Sequence, residues 1–304
     1  MHVYTHPASL EHDQGPGHPE QPARLVAVLD ALGTRPGVEL VNAHAATVEP
    51  ILLVHPAAYL DHAAALSRAG GGELGADTLV NAQSWPAVLG ATGAVLGALD
   101  HALQSGEHAF AAIRPPGHHA LRDRAMGFCI VNHVVVAAMT ARRHGRERVL
   151  IVDWDVHHGN GTQALVERDP AIRFVSMHQW PWYPGTGASD ERGVGNCFNL
   201  PMAAGLPPSA YVETLWRGVE LATTGWQPDL VLISAGYDAM RGDPLGGFTL
   251  EPAHYALWIE RMRERFPGVP IVGLMEGGYA PDRLAAGVVA TIAAMAAQDD
   301  SYRS

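Results

Sequence analysis

The sequence predicts a three-layer α/β/α protein built on a mainly parallel sheet, and two observations predict it. Short apolar runs rich in β-branched residues, at 110–113, 149–152, 173–176, 230–233 and 271–274, lack strict polar alternation and so suit strands covered on both faces. Helix-like stretches at 86–102, 132–144, 209–223 and 252–266 alternate with them, the order expected when helices cross over a parallel sheet.

In chain order, the helix 86–102 precedes the run 110–113, which leads into Arg114-Pro115-Pro116-Gly117-His118-His119. The helix 132–144 separates that run from 149–152, which leads into Asp153-Trp154-Asp155-Val156-His157-His158-Gly159-Asn160. The run 173–176 follows, then the helix 209–223 and the run 230–233, which opens into Ser234-Ala235-Gly236-Tyr237-Asp238. The helix 252–266 precedes 271–274, which ends in Met275-Glu276-Gly277-Gly278-Tyr279. Ligands of open parallel sheets bind outside the carboxyl ends of the strands, so four polar loops converge on one rim. The Gly-rich stretch 69–75 reads as a loop, no repeat is visible, and residues 1–304 are expected to form one domain.

Composition narrows the function. Lys plus Arg number 20 against 31 Asp plus Glu, a net charge of −11, which argues against direct binding of nucleic acid or an anionic membrane and suits a cationic substrate. Hydrophobic residues at 47% and charged residues at 17% are values of a globular chain with a sizeable core. Two cysteines, Cys129 and Cys197, supply neither a disulfide framework nor a thiolate zinc cluster. The N-terminus lacks a basic region followed by an apolar stretch, and the apolar run 285–297 is shorter than the ~20 residues of a membrane span. These features suggest a cytoplasmic location.

The densest chemistry lies in Asp153-Trp154-Asp155-Val156-His157. In an extended chain, side chains alternate faces, so Asp153, Asp155 and His157 are expected on one face, where two carboxylates and an imidazole bind a cation. The bland alternative is hydrogen bonding at a strand end, but clustered buried charge is costly without a counter-ion. Asp243, before Pro244, can complete an Asp/His/Asp set that leaves a coordination position open, as in catalytic sites. An Asp before Pro is more often a turn former, and only the other donors raise Asp243 above that. Zn²⁺ is the first candidate, and Fe²⁺ tolerates the same donors. His118 and His119 adjoin this rim behind a stiff Pro-Pro-Gly, placed for proton transfer near neutrality. Tyr279, after Gly277-Gly278, can bring a phenol over the site to stabilise an oxyanion, though it would equally cap a turn.

Taken together, these motifs resemble the histone deacetylase superfamily, class II-like, which includes acetylpolyamine amidohydrolases and acetoin-utilisation deacetylases. The resemblance runs from His18-Pro19-Glu20 and Arg24 through Arg114-Pro115-Pro116-Gly117-His118-His119-Ala120, Gly127-Phe128-Cys129 and 153–162 to Gly242-Asp243-Pro244 and Glu276-Gly277-Gly278-Tyr279, in family order. It implies an arginase-like fold and Zn²⁺ held by Asp155, His157 and Asp243. It pairs His118 with Asp153 and His119 with Asn160, where class I members carry an acid. His119 would then be the principal general acid/base, His118 its electrostatic partner and Tyr279 the oxyanion donor. Phe128 and Tyr183 would wall a tunnel for an acyl-lysine stem, with Tyr183 departing from the usual phenylalanine, and Gly127 would offer its carbonyl to the substrate amide. Asp77 would match a rim aspartate that grips the substrate backbone, against the plain reading of a turn-forming Asp. Leu250, seven residues after Asp243, stands where acetylpolyamine-specific relatives carry an acidic gatekeeper, and leucine there favours acyl-lysine. Asp153, Asp155, His157, Ser176 and Met177 match a structural K⁺ site.

The resemblance therefore implies a deacylase of acyl-lysine in proteins or peptides, with hydrolysis of small acetylated amines as the alternative. A non-catalytic acyl-lysine scaffold is the reading from another class, and it is disfavoured because no ligand position and no Tyr279 is lost. Trp180 and Trp182 would shape the tunnel mouth or instead form a contact in a homo-oligomer.

Overall fold

The computed structural model describes residues 1–297; residues 298–304, the end of the expected domain, lie outside the described residues. Ten strands occur among the described residues: β1 (His2–Thr5), β2 (Glu39–Asn42), β3 (Gly71–Gly75), β4 (Thr78–Asn81), β5 (Ala109–Ala111), β6 (Val149–Asp153), β7 (Ile172–Gln179), β8 (Cys197–Met202), β9 (Leu230–Ala235) and β10 (Ile271–Met275). Eight of them form one sheet of order β2-β1-β5-β10-β9-β6-β7-β8, every neighbouring pair parallel. The other two, β3 and β4, pair as an antiparallel hairpin. The α-helices are α1 (Pro22–Gly33), α2 (Ala57–Arg68), α3 (Ser84–Ser105), α4 (His133–Arg143), α5 (Asn160–Val166), α6 (Pro208–Ala222), α7 (Pro252–Arg265) and α8 (Pro281–Ala296).

Strand alternation divides the core into two layers. Leu150, Val152, Val231 and Ile233 face a cluster formed with α1, α6, α7 and α8, whereas Val149, Ile151, Leu230 and Leu232 face α2, α3, α4 and α5. This double coverage explains why the central strands read as continuous apolar runs. Local signals set the helix ends. Asn132 caps α4 by accepting from Val135 N at 3.1 Å, Glu251 and His254 form a reciprocal cap on α7, and Gly106 ends α3 in a left-handed conformation. By length and composition α3 could cross a membrane, but it packs against β1, β5 and α4.

Three sheet strands escape the apolar-run criterion. The edge strand β2 is mostly exposed, β1 carries His2 and Tyr4 half out of the core, and β8 contains Pro201, which an edge strand tolerates. The expectation of a loop at 69–75 is corrected: Gly71–Gly75 is a strand. A Cβ at Gly71 would sit 2.1 Å from Val80 O, so the glycine permits the close hairpin pairing that its composition disguises.

Candidate active site

Loops from the carboxyl ends of β5, β6, β9 and β10 meet above the sheet. The β5 loop is held by Glu276 of the β10 loop, whose Oε2 accepts from Gly117 N at 2.6 Å and His118 N at 3.1 Å. This carboxylate fixes where the histidine pair begins. His118 Nδ1 then meets Asp153 Oδ2 at 3.0 Å, and His119 Nδ1 meets Asn160 Oδ1 at 2.7 Å. The amide oxygen of Asn160 only accepts, so His119 carries its proton on Nδ1 and leaves Nε2 as an acceptor. The different partners drive the two rings apart electrostatically. Burial opposes charge on His118, but Asp155 and Asp153 outweigh it and hold its pKa well above the ordinary value. Burial together with the charges of His118 and His157 holds His119 well below it.

Below the histidines, backbone groups organise a carboxylate cluster. Asp155 N donates to Asp153 Oδ1 at 3.1 Å, and His157 N donates to Asp155 Oδ1 at 2.9 Å. Gly277 N donates to Asp155 Oδ2 at 2.9 Å, and Val156 N donates to Asp238 Oδ1 at 2.8 Å. Asp155, His157 and Asp238 offer donor atoms within 4.8 Å of one another, and all three are buried. Asp243, expected in the set with Asp155 and His157, stands beside this group and outside its 4.8 Å limit, its Oδ2 accepting from Tyr279 N at 2.7 Å and its Oδ1 from Leu245 N at 2.9 Å. Burial and the neighbouring Asp155 push Asp238 up to about 7, and burial also raises Asp243. Against burial, Asp155 and Asp238 push His157 up to about 10. Several buried carboxylates with one imidazole are a donor set that a divalent cation stabilises, so the residues fit a metal.

Above the cluster lies a cavity of ≈ 340 Å³, lined by His119, His157, Tyr279, Gly127, Phe128, Tyr183, Asp77, Trp182 and Leu245. Its walls are aromatic. Phe128 meets Tyr279 edge-on at 5.9 Å, and Tyr183 meets His119 edge-on at 5.2 Å. Gly127 and Phe128 both have positive φ, 56° and 67°, and a Cβ at Gly127 would fall 2.2 Å from the His119 ring. Beneath the floor, Glu20 accepts from Arg24 at 2.9 Å and from Arg114 at 2.9 Å, while Arg24 Nε donates to Gly278 O at 2.6 Å.

A family model described as the histone deacetylase domain matches residues 18–295. The chain belongs to the histone deacetylase family. A histone deacetylase-like amidohydrolase of Pseudomonas aeruginosa is 38% identical over 90% of this chain and 74% of its own. An uncharacterized protein of Synechocystis is 44% identical over 93% of this chain and 95% of its own. The crystal structure of the HDA15 HD domain matches with a TM-score of 0.93 at 34% identity, covering 98% of this chain and 91% of that one. As a histone deacetylase-family member, the protein is a hydrolase of amide bonds with the arginase-like fold, and this family is generally zinc-dependent.

The deacetylase-family residues singled out in the sequence divide into those gathered at the cavity and those placed elsewhere. His119, His157, Tyr279, Gly127, Phe128, Tyr183 and Asp77 line it. His118, Asp153, Asp155 and Asn160 stand directly behind, and Asp243 touches Tyr279. Leu250 is a correction: it is fully buried in the core with Trp154 and Trp258, does not line the cavity, and so gives no argument against small amines. Strand alternation is another. Because β6 ends at Asp153, turns formed by side chains accepting from backbone N–H groups bring Asp155 and His157 together. Asp77 is engaged internally by Gly127 N at 2.9 Å and Tyr183 hydroxyl at 2.6 Å. Ser176 pairs in register with Asp153 across β6 and β7, and Met177 is buried next to it. Trp182 lines the mouth and is 47% exposed, its indole donating to Leu245 O at 2.9 Å. Sequence reasoning missed Leu245 and Asp238; the signal for Asp238 was its place in the polar loop after a buried strand.

Proposed function

We propose that this deacetylase-family protein removes acetyl or related acyl groups from the ε-amine of lysine in proteins or peptides. The observation that carries this reading is a pair of adjacent histidines with different partners, His118 on the Asp153 carboxylate and His119 on the Asn160 amide, beside one narrow aromatic cavity that also takes in Tyr279. By the family resemblance Asp155, His157 and Asp243 would hold Zn²⁺, with Asp238 orienting the His157 ring at 3.2 Å from its Nδ1. The metal would supply Lewis acidity at the acyl carbonyl and ease deprotonation of water.

The chain's own groups divide the remaining work. His119, neutral and with Nε2 available, takes a proton from the attacking water and returns one to the leaving amine. His118, held charged by Asp153 and Asp155, faces the negative charge that develops beside it. The Tyr279 phenol, whose pKa burial raises well above the ordinary value, stays protonated and donates to the oxyanion. Phe128 and Tyr183 flank the apolar stem, and the Gly127 carbonyl receives the substrate amide. Asp153, Asp155, His157, Ser176 and Met177 would bind K⁺ beneath the site, supported by the register pairing of Asp153 with Ser176. Two buried free thiols and an acidic chain suit a reducing cytoplasm.

Hydrolysis of small acetylated amines is the second reading, for which Asp77 supplies a carboxylate at the cavity wall. The test is acetate release from an acetyl-lysine peptide and from N-acetylputrescine by zinc-loaded wild type and Tyr279→Phe. Turnover of the peptide that falls ~10²–10³-fold in the variant is the expected result for loss of one oxyanion donor. No turnover of either compound by zinc-loaded protein overturns the reading.

A further inference from the structure

Both aromatic walls of the cavity are tied to a single turn. Between β3 and β4, Asp77 Oδ1 accepts from Gly127 N at 2.9 Å, and Thr78 Oγ1 accepts from Phe128 N at 3.1 Å. From the opposite wall, the Tyr183 hydroxyl donates to Asp77 Oδ2 at 2.6 Å. The Thr78 hydroxyl also donates to Asp77 Oδ1 at 3.1 Å. Three of a carboxylate's roughly four acceptor positions are therefore used inside the protein. The phenol–carboxylate bond is short and charge-assisted, the stronger class of hydrogen bond. It spans 106 residues of sequence and closes the mouth from the hairpin to the loop after β7.

We propose that the Asp77–Thr78 turn is a clip that sets the width of the slot, and that Tyr183 determines specificity by occupying Asp77. The site then selects an unbranched N-acyl alkylamine by its stem alone and gains nothing from amide groups flanking that stem. This rests on the amide-hydrolase reading of the same cavity and narrows its substrate class. The physical reason is competition: the one acceptor position left on Asp77 is on the Oδ2 that the phenol already holds, so an incoming peptide N–H must share that oxygen with the phenol or displace it, and either gives little net gain. A phenylalanine at 183 would keep the wall and vacate Oδ2.

The experiment compares N-butylacetamide with Nα-acetyl-Nε-acetyl-lysine methylamide, which share a stem and differ in flanking amides, on zinc-loaded wild type and Tyr183→Phe. Wild type is expected to treat the two within about threefold in kcat/KM. Tyr183→Phe should raise the preference for the flanked compound ~10–100-fold through KM, the gain from one hydrogen bond to a charged group. Calorimetric Kd values for the same pair read the same ratio without turnover. If wild type turns over neither compound, the amide-hydrolase reading falls while the Kd ratio still decides the clip. An equal ratio in both proteins, a wild type already favouring the flanked compound by more than about tenfold, or binding of neither compound overturns the proposal.

Discussion

His133 should make the protein acid-sensitive by an amount that can be isolated. It is the first residue of α4 and fully buried, with Nδ1 3.2 Å from Thr92 Oγ1 and Nε2 without a hydrogen-bond partner. Burial, with a smaller effect from His55, pushes its pKa down to about 3. The ring is therefore neutral in the folded protein, whereas in the unfolded chain it takes a proton below about 6.5. Between those values the unfolded state binds the extra proton, so stability falls as pH falls, by about 1.4 kcal/mol per pH unit at full slope. Integrated from about pH 7 to about pH 5, the loss is about 2 kcal/mol. His133→Leu removes that proton at similar volume, and Thr92 keeps its bond to Val88 O at 2.9 Å. Urea unfolding of both proteins across this range should show the variant gaining about 2 kcal/mol relative to wild type at the acid end. The difference between proteins is the proper readout because other groups cancel in it. His55 and His158, pushed down to about 4, and His178, to about 3, all mainly by burial, act with the same sign. Glu276, raised to about 7 chiefly by burial, acts against them, since its folded form holds a proton that the unfolded chain has lost. Parallel stability curves for wild type and variant would refute the assignment of a neutral, proton-refusing His133.

Two further expectations concern the site. Gly127→Ala places a methyl 2.2 Å from the His119 ring at a φ of 56°, so the ring must move, and kcat should fall about 100-fold with zinc content unchanged; wild-type kcat would show that the loop yields instead. Asp243→Asn should weaken zinc binding by more than the ~10–100-fold typical of a residue that only orients a ligand, and Asp238→Asn should stay within that range. Chelator competition followed by metal analysis ranks the two, and the reverse order would exchange their roles.

How much was legible follows from where each segment sits. The strands β5, β6, β7, β9 and β10 were found because central parallel strands must be apolar on both faces, a constraint that leaves a mark in any window. The strands β1, β2 and β8 lie toward or at the two sheet edges, where half of each residue's surroundings is solvent and polar residues are permitted. The hairpin hid for the opposite reason. Its first strand is rich in glycine, which satisfies a need for close backbone approach and gives no side-chain signal.

The candidate site shows the same division between chemistry and geometry. The imidazoles, carboxylates and phenol could be read because clustering such groups at the ends of buried strands is costly unless they are paired or bind a cation. Their partners were harder. Nothing in the order Gly-Ala-Asp-Thr says that Asp77 reaches Tyr183, because that contact depends on how a hairpin between α2 and α3 folds over the mouth. Leu250 was misplaced by counting residues from Asp243. The chain turns between them, and its return beside Met240 carries Leu250 into the core and leaves Leu245 at the cavity. Spacing along a strand or helix predicts direction because the backbone repeats; across a turn it does not. The width and selectivity of this cavity are consequently properties of loop contacts, and the Asp77–Tyr183 bond is where a single oxygen atom separates this chain from one with phenylalanine at 183.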